Sequence, residues 1–307
     1  MNTVCVLMST YNGEKYIKEQ LDSVLSQQNV ELSVLIRDDG SKDRTIEIIN
    51  NYIRDNSNIR LITGKNIGPA LSFLELLKEA QEANYYAFCD QDDYWKEEKL
   101  DKAILMINKN GFGDLPILYY SNLTLTDEKL DVITNTSIRF RSNKKTDKYI
   151  PLVDNLGTGC TMVMNKRLAE LLISHMPNDI TMHDAWCNIV CSLFGKVIFD
   201  NNSYIMYRQH GNNTIGMDVD KNLAENAKVH LSRIKDTSLQ PRFMNAVSLW
   251  KCFGNELSKE DKQKIYEIIS YKDSLFRRLR LLFDFSIHSY SFIKDIKYRL
   301  LILFGEI

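Results

Sequence analysis

The stretch AFCDQDDYWK, residues 87–96, puts Asp90, Asp92 and Asp93 within four positions directly after an apolar run. Carboxylates that close repel, and each raises its neighbour's pKa unless a positive charge lies among them. A solvated surface loop is one home for such a triplet. The other is a site for a hard cation such as Mg²⁺ or Mn²⁺, which clustered carboxylates without a His/Cys cage select. These ions take one or two protein carboxylates and fill the remaining shell with water and phosphate oxygens. A second acidic pair, Asp38 and Asp39, also follows an apolar run. His183, Cys187 and Cys191 recur every four residues and would share a helix face. Zinc usually takes a tighter Cys-x-x-Cys pair and a fourth ligand, so these cysteines read as small buried hydrophobes.

The elements that carry the acids decide between loop and site. TVCVLMS (3–9), ELSVLIRDD (31–39), IRLITG (59–64) and NYYAFCD (84–90) read as strands. Between and after them the spacing predicts helices over Glu14–Gln28, over 41–55 with Ser41 as cap, over Gly68–Ala83 and over Lys96–Asn110. Alternating strands and helices with continuous apolar strands imply an α/β fold whose mostly parallel sheet is flanked by helices. Ligands bind such sheets beyond the carboxyl ends of the strands. The turns STYNGE, RDDGS, GKNIG and DQDD all stand there and must open on one edge. A solvated loop does not require that convergence; a metal–diphosphate site does.

Composition narrows the classes further. The chain has 307 residues, 44% hydrophobic and 26% charged, with a formal net charge of −1. That size suits one large domain with an appendage, and the charge gives no basic field for nucleic acid. There is no G-x-x-x-x-G-K-[ST] phosphate loop. GTGC at 157–160 lacks the third glycine of a dinucleotide fingerprint, which disfavours kinases and dehydrogenases. The start carries no basic segment before its short apolar run, and no stretch reaches the roughly 20 apolar residues of a membrane span. With six scattered cysteines read as reduced thiols, a cytoplasmic location is expected.

The segments MSTYNGEKYIKEQLDSVLSQ, LIRDDGSKDRTIEII and AFCDQDDYWKEEKL resemble the family 2 glycosyltransferases, which have the nucleotide-binding GT-A fold. Residues 181–216, TMHDAWCNIVCSLFGKVIFDNNSYIMYRQHGNNTIG, are more specifically similar to a bacterial rhamnosyltransferase branch. The resemblance covers about residues 3–217 and implies a GT-A catalytic domain over 1–217 with a helical extension over 218–307. It implies that Thr10, Tyr11, Asn12 and Glu14 wall the base pocket and that Asp39 accepts the pyrimidine N3–H. Asp90 then faces the ribose or a metal-bound water, Asp92 holds Mn²⁺ or Mg²⁺, and Asp93 supports from behind. Asp184 matches the general base, with a helix cap or first-turn acid as its alternative role. Arg208 and His210 approach the diphosphate or metal. His183 would position the acceptor or cap the helix, and Gly159, with Gly157, would border the sugar or merely make a turn.

The implied partners are a nucleotide-sugar donor, dTDP-rhamnose foremost and a UDP-sugar as alternative, and a glycan acceptor, lipid-linked. A sugar-nucleotide pyrophosphorylase would need a basic, glycine-rich first turn, and STYNGE is not one. A non-catalytic carbohydrate-binding protein would not need Asp92 and Asp184 together with Arg208 and His210. Beyond residue 218 helices are expected over Asp220–Lys235, Pro241–Asn255 and Ser258–Ser270. Residues 272–307 then combine Phe and Leu with seven Lys/Arg against four acids. A basic amphipathic tail suits the inner membrane surface, while packing on the catalytic domain or a homo-oligomer is the other use.

Overall fold

The computed structural model describes residues 1–110, 114–134, 148–155, 157–211 and 241–307. The four apolar runs form β1 (Asn2–Thr10), β2 (Val30–Asp38), β3 (Ile59–Thr63) and β4 (Tyr85–Cys89), all mutually parallel where they pair. Their continuous apolarity follows from cover on both faces. Val4, Val6 and Met8 enter one core cluster, while Cys5 and Leu7, pointing the other way, enter a second. α1 (Ile17–Leu25), α2 (Thr45–Asp55) and α4 (Lys99–Asn110) cover the first face and α3 (Pro69–Glu79) the second.

Helix starts differ from the expected ones for local reasons. Ser41 does not cap α2, whose N-cap is Arg44. The Ser41 hydroxyl instead donates to Asp38 Oδ2 at 2.5 Å and accepts the Asn12 N–H at 2.8 Å. The amides opening α2 are met by Glu14, which accepts from Arg44 N–H, and by Asp43, which accepts from Thr45 N–H. α3 begins at Pro69, whose missing N–H costs nothing in a first turn, behind Gly68 at φ 79°.

The sheet is mixed rather than wholly parallel. β5 (Tyr94–Trp95), β6 (Ile117–Thr126), β7 (Val132–Thr134), β8 (Val163–Asn165) and β9 (Lys196–Arg208) complete the order β3-β2-β1-β4-β8-β6-β9-β5, with β7 on β6. β8 runs antiparallel to β4 and β6, and β5 antiparallel to β9, while β6 and β9 are parallel. β9 hides in the sequence because its alternation breaks where the β6–β9 register shifts around Ser121 and Asn122.

α5 (Lys166–Ser174) and α6 (His183–Phe194) follow β8. The C-terminal helices are α7 (Pro241–Phe253), α8 (Lys259–Ser270), α9 (Leu275–Leu282) and α10 (Phe292–Phe304). Ser258 caps α8 by accepting from Asp261 N–H, as its Ser-Lys-Glu-Asp start predicts. The helix expected over Asp220–Lys235 lies outside the described residues. Leu249, Phe253, Ile265, Tyr298 and Ile302 share one apolar cluster with α3 and α6, so the C-terminal helices pack onto the same core as the sheet. Cys187 and Cys191 lie in that cluster, and all six cysteines are free thiols.

Candidate active site

β4 ends at Cys89 and β5 begins at Tyr94, so Asp90–Asp93 is the turn between them. β5 pairs antiparallel with the end of β9, Tyr94 opposite Met206 and Trp95 opposite Ile205. Continued past Tyr94, that register sets Arg208 beside Asp92 and Asp93. The Arg208 N–H donates to Asp93 Oδ1 at 3.2 Å, and its Nε donates to the Asp92 carbonyl at 2.8 Å. The guanidinium also donates to the Glu128 carbonyl and to Glu19 Oε2. Arg208 is 2% exposed, so it braces the acidic turn from within the protein. His210, two residues on, places Nε2 at 2.8 Å from Asp92 Oδ2. Tyr16, the N-cap residue of α1, stacks on His210 at 4.8 Å and lies under the Arg208 guanidinium at 4.6 Å.

The acidic turn encloses uncompensated charge. Ligand atoms of Asp90, Asp93 and Cys160 lie within 4.8 Å of one another. Burial, then the Asp92 and Asp184 charges, pushes Asp90 up to about 7. Burial, then the Asp92 and Asp90 charges, holds Asp93 well above the ordinary range, and its Oδ2 is buried without a hydrogen-bond partner. Lys99 is 1% exposed with its ammonium 3.6 Å from the Trp95 ring centroid, and burial pulls it down to about 8. Lys99, with Arg208 already paired to Glu19, does not offset three carboxylates. A divalent cation would: the ligand atoms that converge belong to Asp90, Asp93 and Cys160, and the Asp92–His210 pair stands in the same turn with oxygen and imidazole donors. The Cys160 thiol, pushed far up by burial, does not suit a hard ion.

Asp184 enters from another direction. Met182 is the N-cap of α6 and makes no side-chain cap, so Asp184 is a first-turn acid with Oδ1 accepting from Ala185 N–H at 2.6 Å. It is 7% exposed, and burial raises it to about 6. His183 does not cap the helix. Its ring packs against both Phe73 and Phe88, at 4.0 and 4.8 Å, in a three-ring cluster, with neither nitrogen hydrogen-bonded, and burial pulls its pKa down to about 3.

Gly159 lies directly over that ring, and a methyl there would overlap His183 Nε2. Buried against Phe73 and Phe88, the imidazole has little room to move away. Gly159→Ala should therefore cost about 1–3 kcal/mol of stability, the range for overpacking a core. Thermal melting reads the loss, and adding His183→Ala should restore part of it. An unchanged melting temperature would show that the loop shifts freely.

The turns after β1, β2 and β4 are held by one another. Gln91 Oε1 accepts from the Thr10 hydroxyl at 2.7 Å and from Tyr11 N–H at 2.9 Å, while its amide donates to the Tyr11 carbonyl at 3.2 Å. Asn12, at φ 51°, accepts from Lys42 N–H at 2.9 Å, and Glu14 accepts from Arg44 N–H at 2.9 Å. Both side chains therefore turn toward the loop after β2. Tyr11 remains 44% exposed at the edge. Asp39 pairs with Arg37, and its Oδ2 accepts from Ile67 and Gly68 N–H at 3.1 and 3.0 Å. Gln91, Tyr16, Glu19, Arg37 and Lys99 escaped the sequence reading. All five sit inside quoted motifs, so their neighbourhood was the available signal.

A family model for glycosyl transferase family 2 matches residues 5–172. The dTDP-rhamnosyl transferase RfbG of Shigella flexneri is 29% identical over 227 residues, covering 69% of this chain and 74% of that protein. The Escherichia coli UDP-Glc:alpha-D-GlcNAc-diphosphoundecaprenol beta-1,3-glucosyltransferase WfgD is 29% identical over 168 residues, 54% of this chain and 61% of its own length. Among solved structures, S. aureus TarS 1–349 in complex with UDP-GlcNAc superposes with a TM-score of 0.59 at 18% identity. That match covers 91% of this chain and 78% of the other and speaks to the GT-A fold.

Proposed function

The chain belongs to glycosyl transferase family 2, and from that premise we propose that it moves rhamnose from dTDP-rhamnose, with inversion, onto a lipid-linked cell-surface glycan. The observation that supports this most is the meeting of the β4–β5 acidic turn with Asp184 and the Arg208–His210 end of β9. The 29% relative that uses dTDP-rhamnose supports the choice of sugar. Asp90, Asp92 and His210 would hold a divalent ion, which when bound neutralises charge on the departing diphosphate. Arg208 keeps Asp92 and His210 in place for that purpose. Asp39 selects the base: an ionised carboxylate has about four lone-pair sites, and Arg37 with two amides leaves one for an imide N–H.

The acceptor hydroxyl gives its proton to Asp184 as its oxygen bonds the anomeric carbon. The bond from that carbon to the diphosphate oxygen breaks on the opposite face. One base and no second nucleophile give a single displacement and an inverted linkage. No helix among the described residues is long and apolar enough to cross a membrane, so a lipid-linked acceptor calls for contact at the inner membrane surface.

A melting-temperature screen tests the reading. dTDP-rhamnose and dTDP should stabilise the protein in a concentration-dependent way, and more with Mn²⁺ than in chelator. Larger shifts with UDP-sugars would replace the donor by a UDP-hexose or UDP-N-acetylhexosamine. Stabilisation by glycans alone, with no nucleotide response, would make the protein a carbohydrate binder and end the transferase reading.

A further inference from the structure

Twelve of the twenty-two large apolar side chains exposed among the described residues fall between Leu275 and Phe304. Helical spacing sorts them. In α10, Tyr298 and Ile302 face the core, while Ile293, Ile296, Leu300 and Phe304 recur every three or four residues on the opposite side. In α9, Leu281 points inward, and Leu275, Leu279 and Phe283 form the outer stripe. Phe276 and Phe292 extend the two stripes and are 75% and 80% exposed. A helix apolar on both sides belongs where both sides are covered.

Hydrogen bonds tie the two helices of this surface together. Arg299 donates to the carbonyls of Leu282, Asp284 and Ile287 at 2.8, 3.0 and 2.9 Å, locking the turn after α9 against α10. The Tyr271 hydroxyl accepts from Ile307 N–H at 3.0 Å and ties the chain end to the segment entering α9. The outer stripes are therefore presented in fixed positions.

Charge says what covers them. α9 carries Arg277, Arg278 and Arg280, of which Arg277 and Arg280 pair with Asp273 and Glu267 outside it, and on α10 Lys297 flanks the stripe while Lys294 pairs with Asp154; over 272–307 basic side chains still outnumber acids seven to four. A second copy related by a two-fold axis would set one basic rim against its equivalent. Anionic lipid headgroups complement it. We propose that α9 and α10 dock the protein in the plane of an anionic bilayer, with the outer stripes inserted at the headgroup–acyl boundary and the basic side chains among the phosphates. This deepens the membrane-surface part of the proposed function and rests on it, but not on which sugar is transferred.

Co-sedimentation of the full chain with phosphatidylglycerol/phosphatidylcholine vesicles at low salt tests the idea, with pure phosphatidylcholine as contrast. Binding should need the anionic lipid and weaken with salt. Phe276→Gln, Phe292→Gln, Ile293→Gln and Phe304→Gln together should weaken it at least tenfold without lowering the melting temperature. Lys297→Glu alone, which touches no buried contact, should weaken it about tenfold. Absence of binding at low salt, or binding by both variants as strong as that of the wild type, overturns the proposal. So does a dimer that the quadruple variant dissociates in the absence of vesicle binding. The nucleotide-dependent melting shift, read on the same samples, tests the transferase reading separately.

Discussion

Asp184→Asn is expected to slow sugar transfer by about 10²–10⁴-fold, the usual worth of a general base, while donor binding stays close to normal. The same substitution should raise stability at neutral pH. Burial lifts the Asp184 carboxyl to about 6 in the folded protein, against an ordinary 3.8. A folded-state pKa raised in this way means that folding favours the proton-bound form. Its contribution is intact below about pH 4, where both states are protonated, and is lost as the pH rises through 6. Asn escapes that penalty, so the variant should gain on the wild type between pH 4 and 6 and hold up to about 3 kcal/mol above it. Turnover by the wild type should fall on the acid side of about pH 6, where the base becomes protonated. Melting temperature and turnover measured on one preparation decide the matter. Near-normal turnover would leave Asp184 a first-turn acid of α6 and nothing more.

Asp92→Asn should abolish most of the metal dependence of nucleotide binding while the fold persists. The amide oxygen can still accept from His210, so the 2.8 Å contact and the Tyr16 stack have no reason to collapse. What disappears is the formal charge on the acid nearest the end of β9. Outer partners of a metal site typically cost 10–100-fold in affinity, and loss of a direct ligand should exceed that range. Titrating dTDP with Mn²⁺ and again with chelator measures the effect. Asp93→Asn is the control: Asp93 is fully buried and accepts the Arg208 N–H, a contact that Asn reproduces. Binding should then change only a few-fold. Equal losses at both positions would mean that the turn works as one unit and that Asp92 has no separate role.

The acidic turn shows how far sequence could see. Asp90–Asp93 after an apolar run, with three other polar turns at the ends of three other apolar runs, defines a strand edge and therefore a site. That inference needs only the period of a strand and the rule that parallel strands end together. The apolar runs of β1 to β4 and the helix faces of α1 and α3 were legible for the same reason, since burial imposes a local repeat. Boundaries drifted where side chains outside the repeat met the ends, as with Ser41, which serves the turn after β2 instead of α2.

By itself, then, the sequence determined an α/β nucleotide-sugar transferase core, its strand-end acids and the motif that contains Asp184. Tertiary structure alone decided which partner each acid keeps. The antiparallel pairing of β5 with β9 is a contact across more than a hundred residues, and it sets Arg208 as a buried brace and His210 as the neighbour of Asp92. No local pattern announces it, because β5 is two residues long and β9 is broken by a register shift. The raised Asp184 and the partnerless imidazole of His183 are likewise products of burial, which depends on what the folded chain lays over them. Residue identity supplies the charges; enclosure in a low-dielectric fold decides whether each one keeps its proton.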